Sequence, residues 1–269
     1  MNDATSGEDS GPTAAGASLG SPIASGAPAA AAPWSLLWGV VAGCGMFLLL
    51  GRLVFEGWAH SFDSAIYARS LWGMAHGSMH NPVVDLHVLS VHANFLMFAL
   101  APLARVVEPA LLLVAAHALA FAFTVAIVAR AFVDAAPRWP AAVTTFAGAA
   151  TVVAAPIVTN PFLFDVRPDL WAVPMLTWGL LRARRQGGFD GAAVAAMATA
   201  LLIREEAMMV IVGAMVLCPA TRPWRHQLGL RVAFAAGAVG WWALYWFGFR
   251  QWVGDGSFAV AQEVSCSFL

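Results

Sequence analysis

Long apolar runs with charged residues set inside or against them constrain this chain more than any other feature. Trp34 to Phe55, Ala110 to Phe132, Ala141 to Thr159 and Val232 to Phe249 are the longest such runs, close to the roughly 20 residues that a membrane helix needs. In hydrocarbon a backbone must satisfy its own hydrogen bonds, which makes each run a helix. Asp63, Asp165, Arg167, Asp169, Arg204, Glu205 and Glu206 fall in or beside apolar stretches. Charge at membrane depth costs several kcal/mol unless paired or hydrated, so such residues point to a functional site.

Composition places the chain in the same class. It is 60% hydrophobic and 11% charged, with a mean hydropathy of +0.73, whereas soluble domains run at roughly 45–50% apolar and about 25% charged. The expected fold is an all-α, polytopic helical membrane protein. A net charge of −1 with no basic stripe excludes a nucleic-acid partner, leaving the lipid bilayer as the first partner. All 14 basic residues are arginine, so a Schiff-base or P-loop lysine is excluded. Cys44, Cys218 and Cys266 are widely spaced and read as small buried hydrophobes.

Residues 1–33 are rich in Ala, Gly, Ser and Pro and lack the apolar surface to offset ordering. They read as a disordered tail ahead of a membrane domain spanning 34–269. Within that domain the first span is Trp34 to Phe55, followed by a polar, histidine-rich stretch from Glu56 to His92. Ser90 to Val107 reads as re-entrant or interfacial. Ala110 to Phe132 and Ala141 to Thr159 read as spans, and Leu170 to Leu181 is short and interrupted by Pro174. Ala192 to Ile203 and Ala207 to Leu217 form two short arms around Arg204-Glu205-Glu206. Val232 to Phe249 closes the set with an aromatic pile that suits an interface belt.

Arginines orient the bundle. Arg130 and Arg138, then Arg182, Arg184 and Arg185, then Arg222, Arg225 and Arg231 form three basic loops, which the positive-inside rule puts in the cytoplasm. The segment from Ala192 to Leu217 must then enter and return, with Arg204 to Glu206 at its far tip; a single helix with three charges in hydrocarbon is the alternative. The expected localisation is the bacterial inner membrane, multi-pass, with the N-terminus cytoplasmic. Three polar clusters then share the extracytoplasmic side: Glu56 to His92, Asn160 to Asp169 and Arg204 to Glu206.

Each cluster has a plain reading beside a functional one. Ser61 and Asp63 suit a helix N-terminus, yet Asp63, Tyr67 and Ser70 also share one face opposite Phe62 and Ile66. His76 and His80 stand at i, i+4, a spacing that places two imidazoles on one metal in a helix, with Asp63 or Asp85 beside them. Gly77 and Pro82 oppose a helix there, and solvated loop histidines are the plain reading. Asp165, Arg167 and Asp169 form either a self-neutralising cluster or a site on an irregular, proline-bounded backbone. Arg204-Glu205-Glu206 carries the same two readings, with a guanidinium suited to phosphate.

Phe62-Asp63-x-x-Ile66-Tyr67, Leu71-Trp72, Gly77, His92, Ala101-Pro102, Asp165-x-Arg167-Pro168-Asp169, Ala172, Pro174 and Arg204-Glu205-Glu206 follow one another in the chain. This ordered set, over about residues 40–250, resembles the bacterial membrane-protein family of domain of unknown function 2079. That family is similar to the GT-C superfamily of polytopic glycosyltransferases with polyprenyl-phosphate sugar donors. The resemblance implies a GT-C-like transmembrane bundle with extracytoplasmic juxtamembrane helices, and a chain that is C-terminally truncated. It assigns Asp63 as the catalytic base or metal partner. Tyr67, His92, Asp165, Arg167, Asp169, Arg204, Glu205 and Glu206 become substrate-binding candidates. It leaves cofactors open, a divalent metal among them, and a polyprenyl-phosphate sugar becomes the expected small-molecule partner. A secondary transporter or a non-catalytic membrane protein are the competing functions; broken helices bearing charge suit the former.

Overall fold

The computed structural model describes residues 28–55, 62–155, 162, 166–218 and 224–253. Helix α1 (Pro28–Phe55) starts ahead of the expected Trp34, and residues 1–27 of the expected tail lie outside the described part. Helix α2 (Phe62–Ala75) leads into a two-stranded antiparallel hairpin, β1 (His80–Asn81) with β2 (Leu86–His87). Short helices α3 (Val88–Val91) and α4 (Leu96–Leu100) and a 3-10 turn at Leu103–Arg105 follow. Ser90 to Val107 is therefore a chain of short turns rather than a span, as expected.

Helix α5 (Pro109–Ala135) is the pillar of the bundle. Glu108 caps it by accepting from Leu111 N at 2.7 Å, and Pro109 occupies the first turn, where its missing N–H costs nothing. Its 27 residues extend about 40 Å at 1.5 Å per residue, enough to cross a bilayer. Helix α1 packs against it through a small-residue seam. A Cβ on Gly39 would lie 2.8 Å from Ala122 O, and one on Gly43 would lie 2.7 Å from Ala122 Cβ and 3.3 Å from Ala118 O. Higher numbers on α1 meet lower numbers on α5, so the two run antiparallel. Small residues four apart permit this close backbone approach, the usual way membrane helices associate.

Helix α6 (Ala141–Ala154) crosses α5 where a Cβ on Gly148 would come within 2.7 Å of Ala129 Cα. It ends at Ala154, with Ala155 already extended, so it is shorter than the span expected to reach Thr159. A 3-10 turn (Pro168–Trp171) leads into α7 (Ala172–Arg185). Pro174 sits in the first turn of α7, which explains why the helix tolerates it.

Helices α8 (Gly191–Ile203) and α9 (Ala207–Leu217) are the two short arms, broken at Arg204, whose backbone is extended. Asp190 caps α8 by accepting from Ala193 N at 2.9 Å, and it pairs with Arg182 at 2.7 Å. The arms form a splayed hairpin, because one residue of the next helix touches both of their bases. Arg231, on α10 (Trp224–Ala243), donates to Met215 O at 3.0 Å, and its guanidinium lies 5.3 Å over the ring of Phe189. Gln227, one turn earlier, accepts from Phe189 N at 2.9 Å. Further along α10, Trp241 reaches Leu201 O near the hairpin tip at 3.2 Å. Helix α10 continues as a π-helical turn (Leu244–Phe249) and a final turn, α11 (Arg250–Val253).

These contacts sort the bundle into two ends. Arg185 binds Asp134 at 2.6 Å, joining the first two arginine loops, and Gln227 and Arg231 bring the start of α10 to the loop before α8. Arg222 lies outside the described residues, as does the side chain of Arg225. Among the described residues, three helical stretches are long and apolar enough to cross a membrane: Ala32–Arg52, Pro109–Ala135 and Gln227–Val253. The protein is a membrane protein whose architecture is helical apart from the small β-hairpin.

Candidate functional site

At the end opposite the arginine loops, polar residues from four separated parts of the sequence meet. Asp169, in the 3-10 turn before α7, is their hub. Its Oδ2 lies 2.9 Å from Arg204 Nη1 and 3.0 Å from Arg167 Nη2. Its Oδ1 accepts from Tyr67 OH at 3.4 Å. The Arg204 Nη1 contact is an ion pair without the alignment of a hydrogen bond. Arg204 also binds Glu206 through Nε, so one guanidinium links the turn before α7 to the hairpin tip.

Glu205, the middle residue of that tip, is fully buried. Burying a carboxylate alone is prohibitive, so its oxygens must be committed. Oε1 lies 2.9 Å from His92 Nδ1, and Oε2 accepts from Ala93 N at 3.0 Å. A carboxylate only accepts, which places a proton on His92 Nδ1 in this arrangement. The His92–Phe95 segment is pinned to the tip a second time, where Phe95 N donates to Leu202 O at 2.8 Å. His92 Nδ1 or Nε2, Glu205 and Glu206 each offer a ligand atom, and those atoms lie within 4.8 Å of one another.

The first turn of α2 abuts the segment before Asp169: Val166 N donates to Ser64 Oγ at 3.4 Å. Asp63 lies in that first turn, but its side chain is outside the described residues, as is the whole of Asp165. Tyr67, Arg167, Asp169, Arg204 and Glu206 are thus linked by pairwise contacts, and the His92–Glu205 pair joins this network at the hairpin tip, where Glu205 lies between Arg204 and Glu206. Asp63 and Asp165 flank it along the chain through Ser64 and Val166.

Ser70, expected on the same stripe as Tyr67, is turned to another task. Its hydroxyl accepts from Asn81 Nδ2 at 2.6 Å, and the same amide nitrogen donates to Ile66 O at 2.8 Å. The stripe thus divides between the site and the β-hairpin. The proposed His76–His80 pair does not form on a helix. Helix α2 stops at Ala75, Gly77 adopts φ +83°, and His76 faces Trp72 O while His80 pairs with Asp85 at 3.2 Å. A left-handed glycine directly after the helix ends it, and that takes the two imidazoles off a common face.

Two contributors escaped the sequence reading. Asn81, just before Pro82, carried only a turn signal, yet it ties α2 to the hairpin. Tyr245 was hidden in the aromatic pile expected to lie at an interface. It is instead 1% exposed and donates to Leu89 O at 2.7 Å, just ahead of His92. Its π-helical turn is an irregularity of the kind found at functional sites. No pattern in the sequence separates Tyr245 from the exposed Phe247 beside it.

No curated protein and no solved structure matches this chain. A family model described as predicted membrane protein (DUF2079) matches residues 58–260, a range that contains every residue of the network. The chain belongs to the DUF2079 family of predicted membrane proteins.

Proposed function

We propose that the chain is a membrane glycosyltransferase domain that takes a sugar from a polyprenyl-phosphate donor on the extracytoplasmic side. The observation that carries this reading is the convergence of Tyr67, Arg167, Asp169, Arg204 and the His92–Glu205 pair at the end of the bundle away from the arginine loops. Transfer from a lipid phosphate needs two things: a base for the acceptor hydroxyl and positive charge for the departing phosphate. In this reading Asp63 is the base, an assignment that rests on the family resemblance and on its place beside Ser64. Arg204 and Arg167 receive the phosphate, leaving Asp169 to hold the two guanidinium groups at a common point. Planar guanidinium groups match phosphate oxygens in pairs. Glu206 completes the rim, Asp165 is assigned to donor binding by the family resemblance alone, and the donor's lipid tail lies in the surrounding bilayer.

Loss of a general base costs about 10²–10⁴-fold in rate. Asp63→Asn should lower sugar transfer from a radiolabelled polyprenyl-phosphate donor by that factor, in membranes containing the complete protein, with expression and insertion intact. Wild-type transfer by this variant removes Asp63 from the mechanism. The broken hairpin α8–α9, with three charges at its tip, also favours a second reading as a secondary transporter. Substrate uptake into proteoliposomes without any transfer product would select that reading.

A further inference from the structure

His92, Glu205 and Glu206 are a different kind of group from the arginine-clasped Asp169. They combine one imidazole with two carboxylates, and their ligand atoms lie within 4.8 Å of one another. We propose that these three side chains bind a divalent transition-metal ion of the zinc class. The inference deepens the transferase reading, on which its catalytic meaning rests, but the binding itself does not depend on it.

The distances favour an ion. Two ligands at about 2.0–2.1 Å from zinc stand roughly 3.0–3.4 Å apart at the angles zinc accepts. His92 Nδ1 and Glu205 Oε1 are already 2.9 Å apart, so a shift of a few tenths of an ångström admits a metal where a proton now bridges them. On binding, the proton on Nδ1 leaves it, moving through solvent to Nε2 of a neutral ring or to bulk water from an imidazolium, so that a neutral ring protonated on Nε2 turns its Nδ1 lone pair to the ion. Glu205 keeps the bond from Ala93 N through Oε2, which holds the ligand in place as outer hydrogen bonds do at metal sites. Glu206, one-third exposed, closes the set from the solvent side and exchanges part of its contact with Arg204 for the ion.

Charge and burial point the same way. Asp169, Glu205 and Glu206 carry −3 and Arg167 and Arg204 carry +2, leaving −1 with a neutral His92. A divalent ion turns this into +1, a suitable receiver for an anionic group. Asn94, two residues from His92 and next to the Ala93 that binds Glu205, is 4% exposed. Neither atom of its side-chain amide has a partner among the described residues. Buried amides are almost always satisfied, and a hydrated ion beside Glu205 supplies bound water for this one. Three protein ligands with an open position are the arrangement of a catalytic rather than a structural zinc site.

Purified protein in detergent should bind one equivalent of Zn²⁺, measured by titration calorimetry after chelator treatment. Co²⁺ in its place should give visible d–d absorption of a four- or five-coordinate site. His92→Ala and Glu206→Gln should each weaken Zn²⁺ by at least about 10-fold, the lower bound for disturbing a metal site, and abolish the Co²⁺ spectrum. His80→Ala, in the exposed loop, should change neither. Glu206→Gln guards against misfolding, because Glu206 is partly exposed and its loss leaves the Glu205 contacts intact. Wild-type affinity in both site variants, or loss of binding in His80→Ala alone, overturns the proposal. Transfer activity is a separate readout: zinc binding without transfer removes the transferase reading and leaves the metal site, and transfer without zinc binding does the reverse.

Discussion

Glu205 shows how a single residue organises this end of the protein. As a fully buried carboxylate with two donors on it, it fastens the His92–Phe95 segment to the hairpin tip. Glu205→Ala strands His92 Nδ1 and Ala93 N, and each buried donor left unmet costs about 1–3 kcal/mol. The thermal midpoint in detergent should fall clearly, while Glu205→Gln, which keeps one acceptor oxygen, should fall less. An unchanged midpoint in the alanine variant would refute this role. His87 offers a pH-dependent counterpart in the loop. Its ring Nδ1 accepts from Leu89 N at 3.2 Å to cap α3, which requires the neutral imidazole. Burial, and secondarily the neighbouring His80, lowers its pKa below the ordinary 6.5. A folded pKa below the unfolded one means that the cap stabilises fully above about pH 6.5 and is lost as pH falls through the lowered value. The protection factor of the Leu89 amide, its exchange rate corrected for the intrinsic pH dependence, should therefore fall on acidification below that point and not on alkalinisation. The sequence marks Glu205 as anomalous because it is a charge between apolar arms. It does not name His92 as its partner, since the two lie 113 residues apart.

At the scale of elements, the hairpin α8–α9 was legible and the seam between α1 and α5 was not. Two arms of 13 and 11 residues are each too short for about 30 Å of hydrocarbon at 1.5 Å per residue. A continuous helix through both arms would be long enough to span, so it is the three charges between them and the arginine loops on either side that favour a break at Arg204. The ends of α6 and α2 were harder to place, because apolar composition continues past Ala154 and polar residues continue past Ala75 while the backbone turns. The Gly39-x-x-x-Gly43 spacing lies in plain view, but its meaning depends on Ala118 and Ala122 of a helix more than 70 residues away. It yields a paired test. A methyl at Gly43 meets Ala122 Cβ at 2.7 Å, whereas one at Gly45 meets nothing within 4 Å. Gly45→Ala should stabilise slightly, by up to the roughly 1 kcal/mol that separates these residues in helices. Gly43→Ala should destabilise by about 1–3 kcal/mol, the cost of overpacking. Equal thermal midpoints for the two variants would argue against close packing of α1 on α5.

For the whole molecule, polarity is divided between two ends of one helical bundle. Arg130, Asp134 and Arg185 lie at one end, and Tyr67, His92, Asp169 and Arg204 to Glu206 gather at the other. The sequence allowed this division to be read because arginine grouping follows membrane sidedness. It did not show which side chains touch, because those contacts depend on helix rotation and loop geometry. The most direct measurement uses single cysteines in a variant whose three native cysteines are replaced by alanine. Cysteine replaces Ser78, an exposed residue beside the β-hairpin, or Arg184, an exposed residue at the end of α7. Intact cells are then treated with a membrane-impermeant thiol reagent. A bundle with its polar network outside and its arginine loops inside predicts that position 78 is labelled in intact cells and position 184 only after the membrane is opened. Labelling of both positions from outside, or of position 184 alone, would contradict that arrangement and remove the extracytoplasmic site with it.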